Sequence, residues 1–290
     1  MKITNKHDLP EAFLNYEKVN AYTKGDADIS ATTLIDSPKI AYLKTKHYPE
    51  IEEDVSDRIM SILGTAVHNI LEQGAGEYDR VEERMYAYYN GVKLSGQIDL
   101  MTPVQGGYLI QDYKTCSAFS IQANPEGKVE WERQLNVYAS LAEHNDIDVM
   151  GLEVVAIIRD WTASGLKRSN DYPKNAVVRI PIKLWDPLDR QKYIENRVNA
   201  HQEASDRTMC TADEMWKRET KYAVHKKSRG SLNQRATRVF DNMGDAGSFV
   251  LASQADSEIV ERPGVRARCD GNYCGVAQYC NQYQPHKREG

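Results

Sequence analysis

No run of the 290 residues approaches the ~18 consecutive apolar residues that a membrane-spanning helix needs. The opening stretch, MKITNKHDLPEAFLNYEK, lacks the apolar core of a secretion signal, so a cytoplasmic protein is expected. There is no surplus of positive charge: 37 Lys and Arg stand against 42 Asp and Glu, a net charge of −5. That balance does not advertise nucleic-acid binding, although a local basic groove is compatible with an acidic protein. Internal repeats, low-complexity tracts and any helix-turn-helix or zinc-finger module for reading base sequence are also missing. What remains is 41% apolar and 27% charged, the balance of a globular chain rather than a disordered one.

Cysteine is sparse and odd in number, five in all. Cys116 and Cys210 stand apart, whereas Cys269, Cys274 and Cys280 crowd the C-terminal end. In a reducing compartment such a cluster argues for metal rather than disulfides.

The first ~30 residues are polar and expected to be loosely held. The segment DISATTLIDSPKIAYLKTKHY reads as helix interrupted at Ser37-Pro38. DVSDRIMSILGTAVHNILEQG carries apolar residues at 59, 62, 63, 66, 67, 70 and 71, one helical stripe ended by Gly74. VEERMYAYYNGVKLSGQIDLMTP predicts two strands joined at an Asn90-Gly91 turn. A strand follows in GGYLIQDYKT, a helix in EWERQLNVYASLAEHN, strands in VMGLEVVAIIRDW and AVVRIPIKLW, and a long polar helix capped by Asp186. This order predicts a mixed sheet flanked by helices over residues 1–205, with a C-terminal extension over 206–290.

One hairpin places charge where a strand prefers Val or Ile. In SGQIDLMTPVQGGYLIQDYKT a turn at Gln105-Gly106 sets Asp99 opposite Asp112, and a turn at Gly106-Gly107 sets it opposite Lys114. In either register period-two alternation puts all three on one face. Opposed carboxylates are destabilising and call for a proton or a cation, and a divalent ion that prefers oxygen is the economical answer. A solvated hairpin face, with Lys114 neutralising one aspartate, is the plain alternative. His68 shares a helix face with Glu72, and Gly64 and Ala66 are small enough for close approach of a neighbour. Gln134 and Tyr138 lie four apart on the later helix. Taken singly, each of these also suits an ordinary structural role.

Together the elements GTAVH, GQID, QDYKT and QLNVY, in that order over residues 64–138, resemble the PD-(D/E)XK nuclease superfamily and its RecB-like, CRISPR-associated-exonuclease-like branch. The resemblance implies a restriction-endonuclease-like α/β/α core with a mixed central sheet. It implies a bacterial or phage enzyme that hydrolyses DNA phosphodiester bonds with Mg²⁺ or Mn²⁺. His68, Asp99, Asp112 and the Tyr113 backbone carbonyl would bind the metal, Lys114 would position or activate water, and Gln134 and Tyr138 would support the site or contact DNA. Without a sequence-reading module, an exonuclease acting on DNA ends or single strands is expected, with room for a helicase or recombinase partner. The alternative is a catalytically silent DNA-binding or regulatory protein that keeps the fold.

The C-terminal triplet resembles the one that, in such nucleases, joins a distant cysteine to hold a 4Fe–4S cluster. Here the first spacing is longer than usual and no cysteine precedes Cys116, which makes Cys210 the best fourth candidate beside Cys269, Cys274 and Cys280, with Cys116, adjoining the catalytic strand, less attractive and three unliganded, buried cysteines the plain alternative. Zinc is the rival occupant, with His286 able to replace a thiolate. The extension is expected to be a helical, cysteine-containing appendage packed on the core. Lys226, Lys227, Arg229, Arg235 and Arg238 are candidates to line a DNA path, with Trp216 and Tyr222 to stack on bases, against the plain reading of a solvated helix face.

Overall fold

The structure is a computed structural model that describes residues 1–19, 23–228, 231–253 and 255–283. It divides into two compact units, Met1–Ser205 and Asp206–Gly290.

The first unit begins with β1 (Lys2–Thr4), α1 (Glu11–Val19), β2 (Ile29–Ser30), α2 (Ala31–Ile35), α3 (Pro38–Lys46) and β3 (Glu52–Asp54). Far from loose, its opening is anchored: β1 pairs in parallel with β3, and Asp54 Oδ2 accepts from the Lys6 amide and the Thr4 hydroxyl. A 3₁₀ turn leads into α4 (Ile59–Glu72). Then come β4 (Arg80–Tyr89), β5 (Val92–Val104), β6 (Gly107–Cys116), α5 (Ala118–Ala123), α6 (Val129–Glu143), β7 (Val149–Ile158), α7 (Ala163–Leu166), β8 (Val177–Ile182) and α8 (Pro187–Gln202).

Six of these strands form one mixed sheet, β4-β5-β6-β7-β8 in line with β2 added beside β5. β6 and β7 are parallel, while β4–β5, β5–β6 and β7–β8 are antiparallel. Helix α6 lies on one face and is buried almost all round, because α2 and α8 cover its outer side. Helix α4 meets β5 and β6 but buries no residue fully, and Leu63 and Ile70 of its apolar stripe are exposed, as is Met60 beside it. Helices on both sides of a mixed sheet make this the expected α/β/α restriction-endonuclease-like architecture. No helix among the described residues is long and apolar enough to cross a membrane.

Gly96 sits where α6 comes closest to β5. A Cβ there would lie 2.6 Å from Leu141 Cδ1 and 2.8 Å from Tyr138 Cδ1. Both neighbours are buried, so neither can step aside cheaply.

The second unit differs from expectation. Its cysteine segment is helical, with a short helix at Ala267–Asp270 and a 3₁₀ turn at Ala277–Tyr279, but the unit also carries strands among its described residues. It holds β9 (Lys217–Arg218), β10 (Lys221–Ser228), β11 (Ser231–Leu232), β12 (Arg238–Phe240), α9 (Met243–Ser253), β13 (Ser257–Arg262), β14 (Val265–Arg266) and α10 (Ala267–Asp270). β10 pairs antiparallel with β11, β12 and β13. The charged stretch read as a solvated helix face is therefore mainly strand. Only Ala223, Val224 and His225 at the centre of β10 are buried, with exposed lysines beyond them, too short a core for period-two alternation to register.

Gly96→Ala should destabilise the protein by ~1–3 kcal/mol, the cost of overpacking a filled core. Urea unfolding of the two proteins, compared at equal slope, measures it; equal midpoints would show that α6 yields.

Candidate active site

The hairpin between β5 and β6 turns at Gln105-Gly106, with Gly106 at φ 91°, a conformation that suits glycine. Pairing runs from Val104↔Gly107 to Leu100↔Gln111. This is the register in which Asp99 stands opposite Asp112, but the ladder ends one pair before them. Beyond it β6 stays with β7, pairing Asp112↔Val154 and Lys114↔Ala156, while β5 stays with β4. The two strands fork.

Within a strand, the N–H and C=O of one residue point to the same edge. At Tyr113 both have lost their β5 partner, and side chains take its place. The Tyr113 N–H donates to Asp99 Oδ2 at 2.8 Å. The Tyr113 carbonyl lies 3.0 Å from His68 Nε2. A carbonyl only accepts, so His68 Nε2 carries the proton. His68 Nδ1 lies 3.5 Å from Asp99 Oδ1 and 3.7 Å from Glu82 Oε1. These partners push the imidazole up to about 10, the Asp99 hydrogen bond first and Glu82 second, against the lowering effect of burial.

The remaining residues gather around Asp112, which is 2% exposed. Its Oδ2 is ion-paired with Lys114 Nζ, a contact without directed hydrogen-bond geometry. Gln134 Nε2 reaches its Oδ1 at 3.3 Å and the Tyr138 hydroxyl at 2.7 Å. Burial raises the Asp112 carboxyl above its ordinary range; Lys114 opposes that and the charge of Asp99 adds to it. The motif pair on α6 thus supports this carboxylate from below.

Strict alternation would put Asp99, Asp112 and Lys114 on one face. Asp112 and Lys114 do share one, the α6 side where Gln134 lies. β5 is buried on both faces here, with Ile98 and Met101 both in the core cluster. Asp99 reaches into the fork to the Tyr113 amide and toward His68. Gly64 needs no smallness for packing, since a Cβ there would meet only Thr115 Oγ1 at an ordinary 3.6 Å.

Glu82 was absent from the sequence reading. Among the described residues, His68, Glu82 and Asp99 form the group in which three candidate metal-binding atoms lie within 4.8 Å of one another. A signal did exist. The Asn90-Gly91 turn sets the β4–β5 register, with Val81↔Leu100 and Glu83↔Ile98, and that register places Glu82 across from Asp99. A divalent ion fits the donors present. His68, once deprotonated, would offer a nitrogen, and Asp99, Glu82 and the Tyr113 carbonyl would offer oxygens, a donor set that suits a divalent ion.

In the second unit, none of Cys210, Cys269, Cys274 and Cys280 is in a disulfide. Burial raises the Cys269 thiol, and the neighbouring Cys274 and Cys280 raise it further. Gln282 clamps the backbone of Cys210, accepting from its N–H at 2.8 Å and donating to its carbonyl at 3.0 Å. Cys116 belongs to the core of the first unit. Lys226, Lys227 and Arg235 are exposed, with Lys227 paired to Glu258. Arg238 lies over the rings of Phe240 and Phe249, and Arg268 over Trp216. Arg229 and His286 lie outside the described residues.

A family model described as the PD-(D/E)XK nuclease superfamily matches residues 77–281, more than two thirds of the chain. No curated protein matches. Among solved structures, one described as the crystal structure of SSO0001 is 17% identical, with a TM-score of 0.45, covering 65% of this chain and 84% of its own. A phage-related exonuclease from Haemophilus somnus 129PT is 14% identical, with a TM-score of 0.28, covering 66% of this chain and 77% of its own.

With pKa raised above the ordinary 6.5, His68 adds stability to the metal-free protein that is full below pH 6.5 and lost as pH rises through about 10. NMR of the metal-free protein should therefore show one imidazole still protonated at pH 8, a resonance missing from His68→Gln. An ordinary titration midpoint for His68 would contradict the hydrogen-bonded arrangement.

Proposed function

The chain belongs to the PD-(D/E)XK nuclease superfamily, and from that membership and the site's geometry we propose that it is a divalent-metal-dependent deoxyribonuclease of the RecB-like branch. The observation that carries this reading is the convergence of Asp99, His68 and the Tyr113 carbonyl at the fork, with the Asp112–Lys114 pair beside it. His68, Asp99, Asp112 and the Tyr113 carbonyl would hold Mg²⁺ or Mn²⁺. When bound, the ion lowers the pKa of water and neutralises charge on the phosphoryl oxygens.

The chain's own groups do the rest. Lys114, about a quarter exposed, would release Asp112 to the ion and turn its ammonium toward the attacking water or a phosphate oxygen. Gln134, braced by Tyr138, would keep the Asp112 carboxylate aimed. The substrate would be DNA ends or single strands, because the chain has no module for reading sequence. The exposed Lys226 and Arg235 remain candidates to follow a phosphate backbone.

The four cysteines of the second unit would hold a 4Fe–4S cluster. Four soft sulfur donors in one small unit suit iron–sulfur or zinc ligation, and the family resemblance favours the former. The cluster would then staple the extension rather than take part in hydrolysis.

Two measurements test this reading. End-labelled single- and double-stranded DNA, incubated with and without Mn²⁺, should be cut only with metal, and Asp112→Ala and Lys114→Ala should each lose ~10²-fold or more in rate. No cleavage of any substrate by the wild type would remove the nuclease reading, and full activity in both variants would remove the site. Protein purified without oxygen should be brown, with absorbance near ~400 nm that Cys274→Ala abolishes. Stoichiometric zinc in that preparation would replace iron–sulfur.

A further inference from the structure

We propose that Glu82 is a ligand of the divalent ion, a donor beside His68, Asp99 and the Tyr113 carbonyl. The proposal rests on the metal-dependent reading above and concerns how this chain in particular completes the site. Three observations carry it.

The first is position. The pairs on either side, Val81↔Leu100 and Glu83↔Ile98, set Glu82 across the ladder from Asp99, and its carboxylate falls within 4.8 Å of donor atoms on both His68 and Asp99. The second is backbone. Glu82 has φ +49° in the middle of a strand, a left-handed conformation that costs a residue other than glycine ~1–3 kcal/mol. The ladder keeps the same register on both sides of it, so the kink corrects no mispairing. It sets the direction of one side chain, at the position across from Asp99.

The third is how the carboxylate is held. Oε2 accepts from Gln97 Nε2 at 2.8 Å, and Gln97 Oε1 in turn accepts from Arg84 Nη2 at 2.5 Å. Oε1 is left toward His68 Nδ1 at 3.7 Å, beyond hydrogen-bond length. A carboxylate with one oxygen anchored by an outer partner and the other directed inward is the arrangement of a one-oxygen metal ligand. Glu82 is also three-quarters covered, so bulk water does not serve it fully in place of a cation.

The rival role for Glu82 is to balance the charge of His68. The two roles predict opposite signs. If Glu82 ligates the ion, removing its charge weakens metal binding. If it only stabilises the imidazolium, removing its charge frees His68 for the metal, and binding stays equal or tightens.

The test is calorimetric titration of the full chain with Mn²⁺ alone, without DNA, for the wild type, Glu82→Gln and Glu82→Asp. The expected result is a loss of ~10-fold or more in affinity for Glu82→Gln, with Glu82→Asp between it and the wild type. Melting curves of the metal-free proteins check that each variant is folded, and Glu82→Asp keeps the test standing should Glu82→Gln fail to fold. Equal or tighter Mn²⁺ binding by Glu82→Gln overturns the proposal and leaves the nuclease reading intact. Absence of Mn²⁺ binding by the wild type overturns both.

Discussion

Strands β5 and β6 pair only from their turn to Leu100 and Gln111, and the contacts of Asp99 and His68 with the Tyr113 backbone follow from their parting there. A fork in a sheet leaves backbone groups without partners, and buried unpaired groups are costly. At Tyr113 the debt is met by chemistry rather than by covering structure. Asp99 takes the amide and His68 takes the carbonyl. A carboxylate accepting from a backbone amide makes a charge-assisted bond worth roughly 1.5–3 kcal/mol. The residue that closes the gap in the sheet is thus also the residue that brings negative charge to the site.

The charges around the fork alternate. Glu82 and Asp99 flank His68, and Asp112 lies against Lys114. Two positive groups thereby hold three carboxylates together. The buried Gln134–Tyr138 pair fixes one end of this row from α6, and Gln97 fixes the other from β5. Fixing both ends matters because carboxylates that can swing apart lose the geometry that makes a divalent ion prefer them to water.

Much of this was legible in the sequence. The hairpin, the two motif helices and the order of strands in the core follow from turn residues and periodicity. The choice of register did not, since Gln105-Gly106 and Gly106-Gly107 are both acceptable turns. The fork beyond Leu100 was hidden as well, because alternation alone does not tell where two paired strands part. Glu82 lay in plain view beside Glu83, and the Asn90-Gly91 turn already fixed its partner, but an acidic residue in a strand reads first as solvated. In the second unit the strands escaped notice because charge brackets a buried centre three residues long, and a period needs more length than that to show.

Tyr113 contributes its amide and carbonyl to the fork through the main chain, while its ring packs edge-on against His68 with centroids 5.9 Å apart. Another residue could occupy position 113 and present the same amide and carbonyl. A scan that trims side chains one by one would remove that ring contact and leave the amide and carbonyl in place. Half of what organises this centre is in that sense written in the path of the backbone, where neither substitution nor sequence comparison can read it directly.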